Sequence, residues 1–195
     1  MSAESIKAKA LKCIDEIYPS ADTLNDTYFP VEDFLGEAVR WVIDVIPAHL
    51  FGEREEIEFT DNIYVKENVA YITPSMEIGR IVYFRMPDWV RSADIIYEDS
   101  PLYRQQKNIV LRGTSLRPIV VRMMDGSIEA YTTKGVQLEK MKAYHIPYDA
   151  EYIPEKAEDL CAWKLAEVVL LSMSDVQNAS VCTARVNEIL QQIAL

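Results

Sequence analysis

The stretch Pro118-Ile119-Val120-Val121-Arg122-Met123-Met124-Asp125-Gly126-Ser127-Ile128-Glu129-Ala130-Tyr131-Thr132 decides the fold. Two runs rich in β-formers, 118–123 and 127–132, bracket Asp125-Gly126, a dipeptide that favours a tight hairpin turn. Outward from it the period of two continues. Residues 138–146 read as a last strand stopped by Pro147, and 78–86 as a strand ended by Pro87-Asp88. A short strand is expected near 95–97, then a loop or helical turn from Ser100. Residues 62–65 and 69–73 flank Lys66-Glu67-Asn68 as a second hairpin.

Both ends of the chain carry helical spacing instead. Residues 5–18 place Ile6, Ala10, Cys13, Ile14 and Ile17 on one face, and Pro19 ends that helix. A polar loop is expected over 20–29. Pro30 suits the first turn of a second helix, whose face is Phe34, Leu35, Ala38, Val39, Val42, Val45 and Ile46. Pro154 opens a helix running to about residue 173, with only a narrow polar stripe at Lys164 and Glu167, so it is expected to be buried on several sides. A final helix spans 175–194, capped by Ser174 or Asp175. Isolated helices of this length are marginal in water, so the two pairs are expected to cover one another. The reading is one α+β domain over 1–195. Helices at 1–55 and 151–195 pack as one layer, and a β-rich antiparallel insertion of about six short strands occupies 56–150.

Charge is distributed unevenly. Residues 80–122 hold seven Arg and one Lys against four acids, a net of +4 in a chain whose total is −11. The segments before and after carry −10 and −5. A cationic waist between anionic ends suits docking onto copies of the same chain or onto ordered partners. Aromatic residues are interleaved with these cations, which leaves three readings open: a strand core with solvated arginines, a protein interface, or a nucleic-acid surface. The interface reading selects Trp89 and Tyr103 as anchors and Arg104, Arg112 and Arg117 as the cations of the loop-rich part.

Signals for catalysis are weak. His49 and His145 fall on different elements without metal-ligand spacing, so no metal site and no cofactor are expected. Tyr144, His145 and Asp149 are the best nucleophilic constellation, but no motif joins them. The six glycines are too scattered to cradle a phosphate before a helix. Cys13, Cys161 and Cys182 are far apart and read as buried thiols in a reducing compartment. Met1-Ser2-Ala3-Glu4 lacks the layout of a signal peptide, and the longest apolar run is too short to span a bilayer, so a non-secreted protein without a membrane partner is expected.

Ser100-Pro101-Leu102-Tyr103-Arg104-Gln105-Gln106-Lys107-Asn108, through Arg112-Gly113-Thr114-Ser115-Leu116-Arg117-Pro118, leads directly into the Asp125-Gly126 hairpin. With the terminal helix pairs and the Tyr144-His145-Ile146-Pro147 strand exit, the chain resembles head-to-tail connector proteins of short-tailed phages. It is similar to adaptor or tail tubular A-type ring proteins, in the style of crAss-like phages. The resemblance covers the whole chain in layout and residues 100–147 in pattern. It implies a structural virion component rather than an enzyme, made in the host cytoplasm and placed at the portal–tail junction. The implied assembly is a ring, usually of twelve copies, contacting itself, the portal and other tail or connector proteins. Genomic DNA would pass through its channel without sequence-specific binding.

Overall fold

The computed structural model describes residues 2–17, 29–57, 63–74, 77–131 and 140–193. In chain order the elements are α1 (Ala3–Ile17), α2 (Val31–Val45), β1 (Glu55–Glu56), β2 (Ile63–Lys66), β3 (Val69–Ile72), β4 (Arg80–Arg85), β5 (Asp94–Tyr97), α3 (Pro101–Gln106), β6 (Ile119–Arg122), β7 (Ile128–Tyr131), β8 (Lys142–Ile146), α4 (Glu158–Ser172) and α5 (Val176–Ile193). They form two compact units, 1–53 with 148–195, and 54–147. The expected loop over 20–29 lies, except for Phe29, outside the described residues.

In the helical unit α4 is the central element, packing against α1, α2 and α5. Its apolar residues are distributed all round: Leu160, Cys161, Leu165, Ala166, Val169 and Leu170 are all buried. A helix without a polar face is stable only when covered on several sides. Its two stripe residues satisfy each other, Lys164 Nζ donating to Glu167 Oε2 at 2.8 Å, while Thr183 Oγ1 on α5 donates to Glu167 Oε1 at 2.9 Å. Polar clasps also tie α1 to α4. Lys9 Nζ lies 2.6 Å from Glu158 Oε2, and Ser5 donates to its other oxygen. Those bonds, that from Lys9 first, hold the Glu158 carboxyl below its usual range. On α2 the buried face contains Ile43 rather than Val45, which is exposed two residues before Pro47.

The α4–α5 corner closes by hydrogen bonds from Ser174 N to Leu171 O and from Asp175 N to Leu170 O, each 2.9 Å, a Schellman arrangement. Ser174 is left-handed there, at φ 62°. Asp175 is the cap of α5, its Oδ1 accepting from Asn178 N at 3.2 Å.

The β unit holds eight short strands in two sheets, ordered β1-β8-β4 and β2-β3-β7-β6-β5. The expected strands near 62–65, 69–73, 78–86, 95–97, 118–123, 127–132 and 138–146 are present wherever described, and β1 is additional. Both hairpins form. Glu67 and Asn68 have φ 52° and 62°, as a two-residue primed turn requires, and Gly126 sits at φ 85°, where a side chain would be strained. One pairing departs from the antiparallel expectation: β5 lies parallel to β6, with Ile95 opposite Val120. Parallel neighbours cannot be joined by a tight turn, so residues 98–118 form a long crossover that contains α3.

Alternation divides the β-unit core into two layers. Val120, Ile128 and Ala130 join Phe84, Met86 and Trp89 in the larger cluster. Val121, Tyr131, Val69 and Tyr103 form the smaller one on the opposite face, under α3.

Candidate interaction surface

The crossover 98–118 is tightly built although it has little regular structure. Ser100 caps α3, accepting from Leu102 N, and Pro101 follows at its first position. The buried Gln106 side chain donates to Leu102 O at 3.1 Å and accepts from Gly113 N at 2.8 Å. Asn108 Oδ1 accepts from Val110 N at 3.0 Å, an Asx turn that folds the loop back. Arg112 staples the turn: its Nε donates to Gln106 O at 3.0 Å and its Nη1 to Glu67 O at 2.7 Å, and its guanidinium lies 5.5 Å from the Tyr131 ring centroid. The tight Thr114–Arg117 turn is held from below, Val90 N donating to Ser115 O and Arg91 Nε to Leu116 O.

This fixed loop displays apolar side chains to solvent. Ile109 is 77% exposed and Val110 83%, with Leu111, Leu116 and Val90 also exposed. A shallow groove of about 290 Å³ is lined by Ile109 and Val110 together with Asn68, Asp88, Thr114 and Ser115, among others. Clustered exposed apolar groups on a hydrogen-bonded loop make this patch a candidate contact surface. Each such side chain contributes about 1.5–3 kcal/mol when fully covered.

The structure sorts the five residues selected from sequence. Trp89 is 2% exposed and packs in the larger core with its ring 6.0 Å from that of Phe84, so it belongs to the fold and offers nothing to a partner. Tyr103 is buried in the smaller core, with Lys107 Nζ 4.6 Å from its ring centroid. Arg112 is the internal staple. Arg104 and Arg117 are exposed, before and after the apolar residues in the chain. Other cations of the waist are also engaged. Arg122 donates to Gly79 O at 2.6 Å and to Ile78 O, and Arg91 pairs with Asp94. Sequence reasoning passed over Ile109-Val110-Leu111. The available signal was three consecutive apolar residues between Asn108 and Arg112-Gly113 that fit neither a helical nor a strand period.

Charge segregates by unit. The helical unit has 7 Lys and Arg against 18 Asp and Glu, a net of −11, while the β unit has 13 of each. The whole net charge of the protein therefore resides on the helical unit.

Tyr144 and His145 are neighbours on β8 and point to opposite faces, and Asp149 spends its carboxylate on Glu151 N at 2.9 Å. Nor is β8 a terminal edge: it is the middle strand of its sheet. His145 is 1% exposed and its Nδ1 accepts from Gly79 N at 3.0 Å. Burial pulls its pKa below the ordinary value, against the opposing pull of Glu55. Gly79 is required at this junction, because a Cβ there would stand 1.8 Å from Ile146 O. His49 sits in a 3-10 turn, Ala48–Leu50. The three cysteine thiols are buried, and burial pushes each up to about 12. Among the described residues no three His, Cys, Asp or Glu side chains gather as a metal site, and no helix is long and apolar enough to cross a membrane.

No protein-family model matches the chain, and no curated protein matches it in sequence.

Proposed function

We propose that the chain is a structural virion protein that assembles as a ring in the portal–tail connector of a short-tailed phage, around the channel through which DNA passes. The observation that carries this reading is the segregation of charge between the units together with the exposed apolar loop of the β unit. One unit holds the entire −11, and the other is neutral and displays a rigid apolar loop flanked by Arg104 and Arg117. Docking the loop of one copy onto the acidic helical unit of the next is electrostatically favourable. It is also a heterologous contact, which closes into a ring when the rotation per copy allows. Exposed ion pairs are worth only about 0–1 kcal/mol each, so the apolar loop supplies most of each contact and ring closure multiplies it. Acidic helices along a channel wall would repel DNA and let it slide.

The reading of the waist as a base-stacking nucleic-acid surface loses support from the same geometry. Trp89 and Tyr103 are buried and unavailable for stacking on bases, and Arg91, Arg112 and Arg122 are bound to carboxylate or carbonyl oxygens. Electron microscopy of the purified chain at high concentration tests the proposal. Annular particles of one rotational symmetry are expected. Fields of isolated single copies would contradict it.

A further inference from the structure

The outward face of the three-stranded sheet carries an arrangement that the ring contact does not use. On β4 and β8, Arg85 stands directly opposite Lys142 and Tyr83 opposite Tyr144. Alternation places all four on the face away from Phe84 and Ala143, which are in the core. The two tyrosine rings tilt together at 5.9 Å. Lys140 joins the two cations around a concavity of about 350 Å³ that Tyr83, Met86 and Pro87 complete.

Like charges directly opposite each other on an antiparallel pair destabilise it. Among the described residues none of Arg85, Lys140 and Lys142 has a carboxylate partner, and Arg85 makes only a long bond, 3.4 Å, to Trp89 O. Among the described residues, the acid that shares this face by register is Glu56, opposite Tyr144 rather than either cation. Three cations line one concave site, and one of them is a guanidinium able to grip two oxygens, a composition that suits an anion with several oxygens.

The geometry points to a phosphate-binding site at Arg85, Lys140 and Lys142, with Tyr83 among its lining residues. The ligand is a phosphate group, either free or esterified in a nucleic-acid backbone. An acidic segment of another copy is the competing occupant. Phosphate is favoured because three cationic side chains and a tyrosine line the cavity, a set with more donors than one carboxylate can accept from. The site does not depend on the ring reading.

Titration of the chain with inorganic phosphate, pyrophosphate and a short DNA duplex, followed by calorimetry and thermal melting, tests the assignment. Wild type is expected to bind at least one of the three and to melt higher with it. The Arg85→Gln/Lys142→Gln double variant is expected to lose affinity by about tenfold or more. Lys142→Glu supplies an independent readout. It replaces the repulsive pair with an attractive one, so in phosphate-free buffer it melts above wild type while losing the response to phosphate. Binding of free phosphates alone marks a small-molecule site, and binding of duplex alone marks a backbone contact. No binding by wild type to any probe, or undiminished binding by the double variant, overturns the proposal. So does a double variant that fails to self-associate while wild type binds no phosphate, since the cluster is then a contact between copies.

Discussion

Replacing Arg112 separates two roles that a sequence cannot distinguish, an interface cation and an internal staple. Its guanidinium bridges Gln106 O and Glu67 O, two carbonyls far apart in the chain, and covers the Tyr131 ring. The part-buried bond to Gln106 is worth about 1.5 kcal/mol as a charged donor, the exposed bond to Glu67 about 0.5–1. Stacking over the ring adds about 0.5 kcal/mol. Arg112→Ala is thus expected to cost about 2–3 kcal/mol, and Arg112→Lys about 1–2, because a single ammonium cannot span both carbonyls. Chemical unfolding measures the loss. Hydrogen exchange of the Val110, Leu111, Arg112 and Gly113 amides measures its place, since their protection depends on the loop staying folded. Arg112→Lys with wild-type stability and unchanged exchange refutes the staple. If that variant also fails to assemble, Arg112 is an interface residue after all.

Three further outcomes follow from the structure. Ser174→Gly should raise the unfolding free energy by about 0.5–1 kcal/mol, because Ser174 is held left-handed at φ 62° where glycine is unstrained; a loss of stability would contradict the cap geometry. Leu170→Asp should abolish soluble folding, since it buries an unpaired charge in the centre of the helical unit, and a soluble folded variant would count against that burial. His145, neutral and depressed in the fold, binds fewer protons folded than unfolded. Its contribution is complete above about pH 6.5 and is lost as pH falls through the lower folded value. Melting temperature should therefore fall between pH 7 and 5, and His145→Asn, which retains an acceptor for Gly79 N, should flatten that fall; an unaltered pH profile removes His145 as its cause.

Elements with local causes were legible in the sequence. Asp125-Gly126 and Glu67-Asn68 set both hairpins through backbone angles that few residues adopt, and the spacing of Ile6, Ala10, Cys13 and Ile14 set α1. The missing polar face of α4 announced its central position. Pairings between distant segments were not legible. Nothing near Ile95 indicates that it lies parallel to Val120, or that β4 and β8 leave the larger sheet to form another with β1. For the same reason the arginines could be counted but not assigned. Whether a guanidinium reaches solvent, as at Arg104, or two backbone carbonyls, as at Arg122, depends on which strand ends meet. Trp89 and Tyr103 were selected for their type, and burial rather than type decided their role.

The ring assembly through the exposed loop is tested most directly by native mass measurement of wild type beside an Ile109→Ser/Val110→Ser/Leu111→Ser variant. All three residues are exposed, so the variant should melt as wild type does. Wild type is expected to form one dominant species of about twelve times the 22.3 kDa of a single chain, and the variant to remain single. A wild-type chain that stays at 22.3 kDa at every concentration contradicts the ring, and a variant that assembles as wild type does contradicts the loop as its contact.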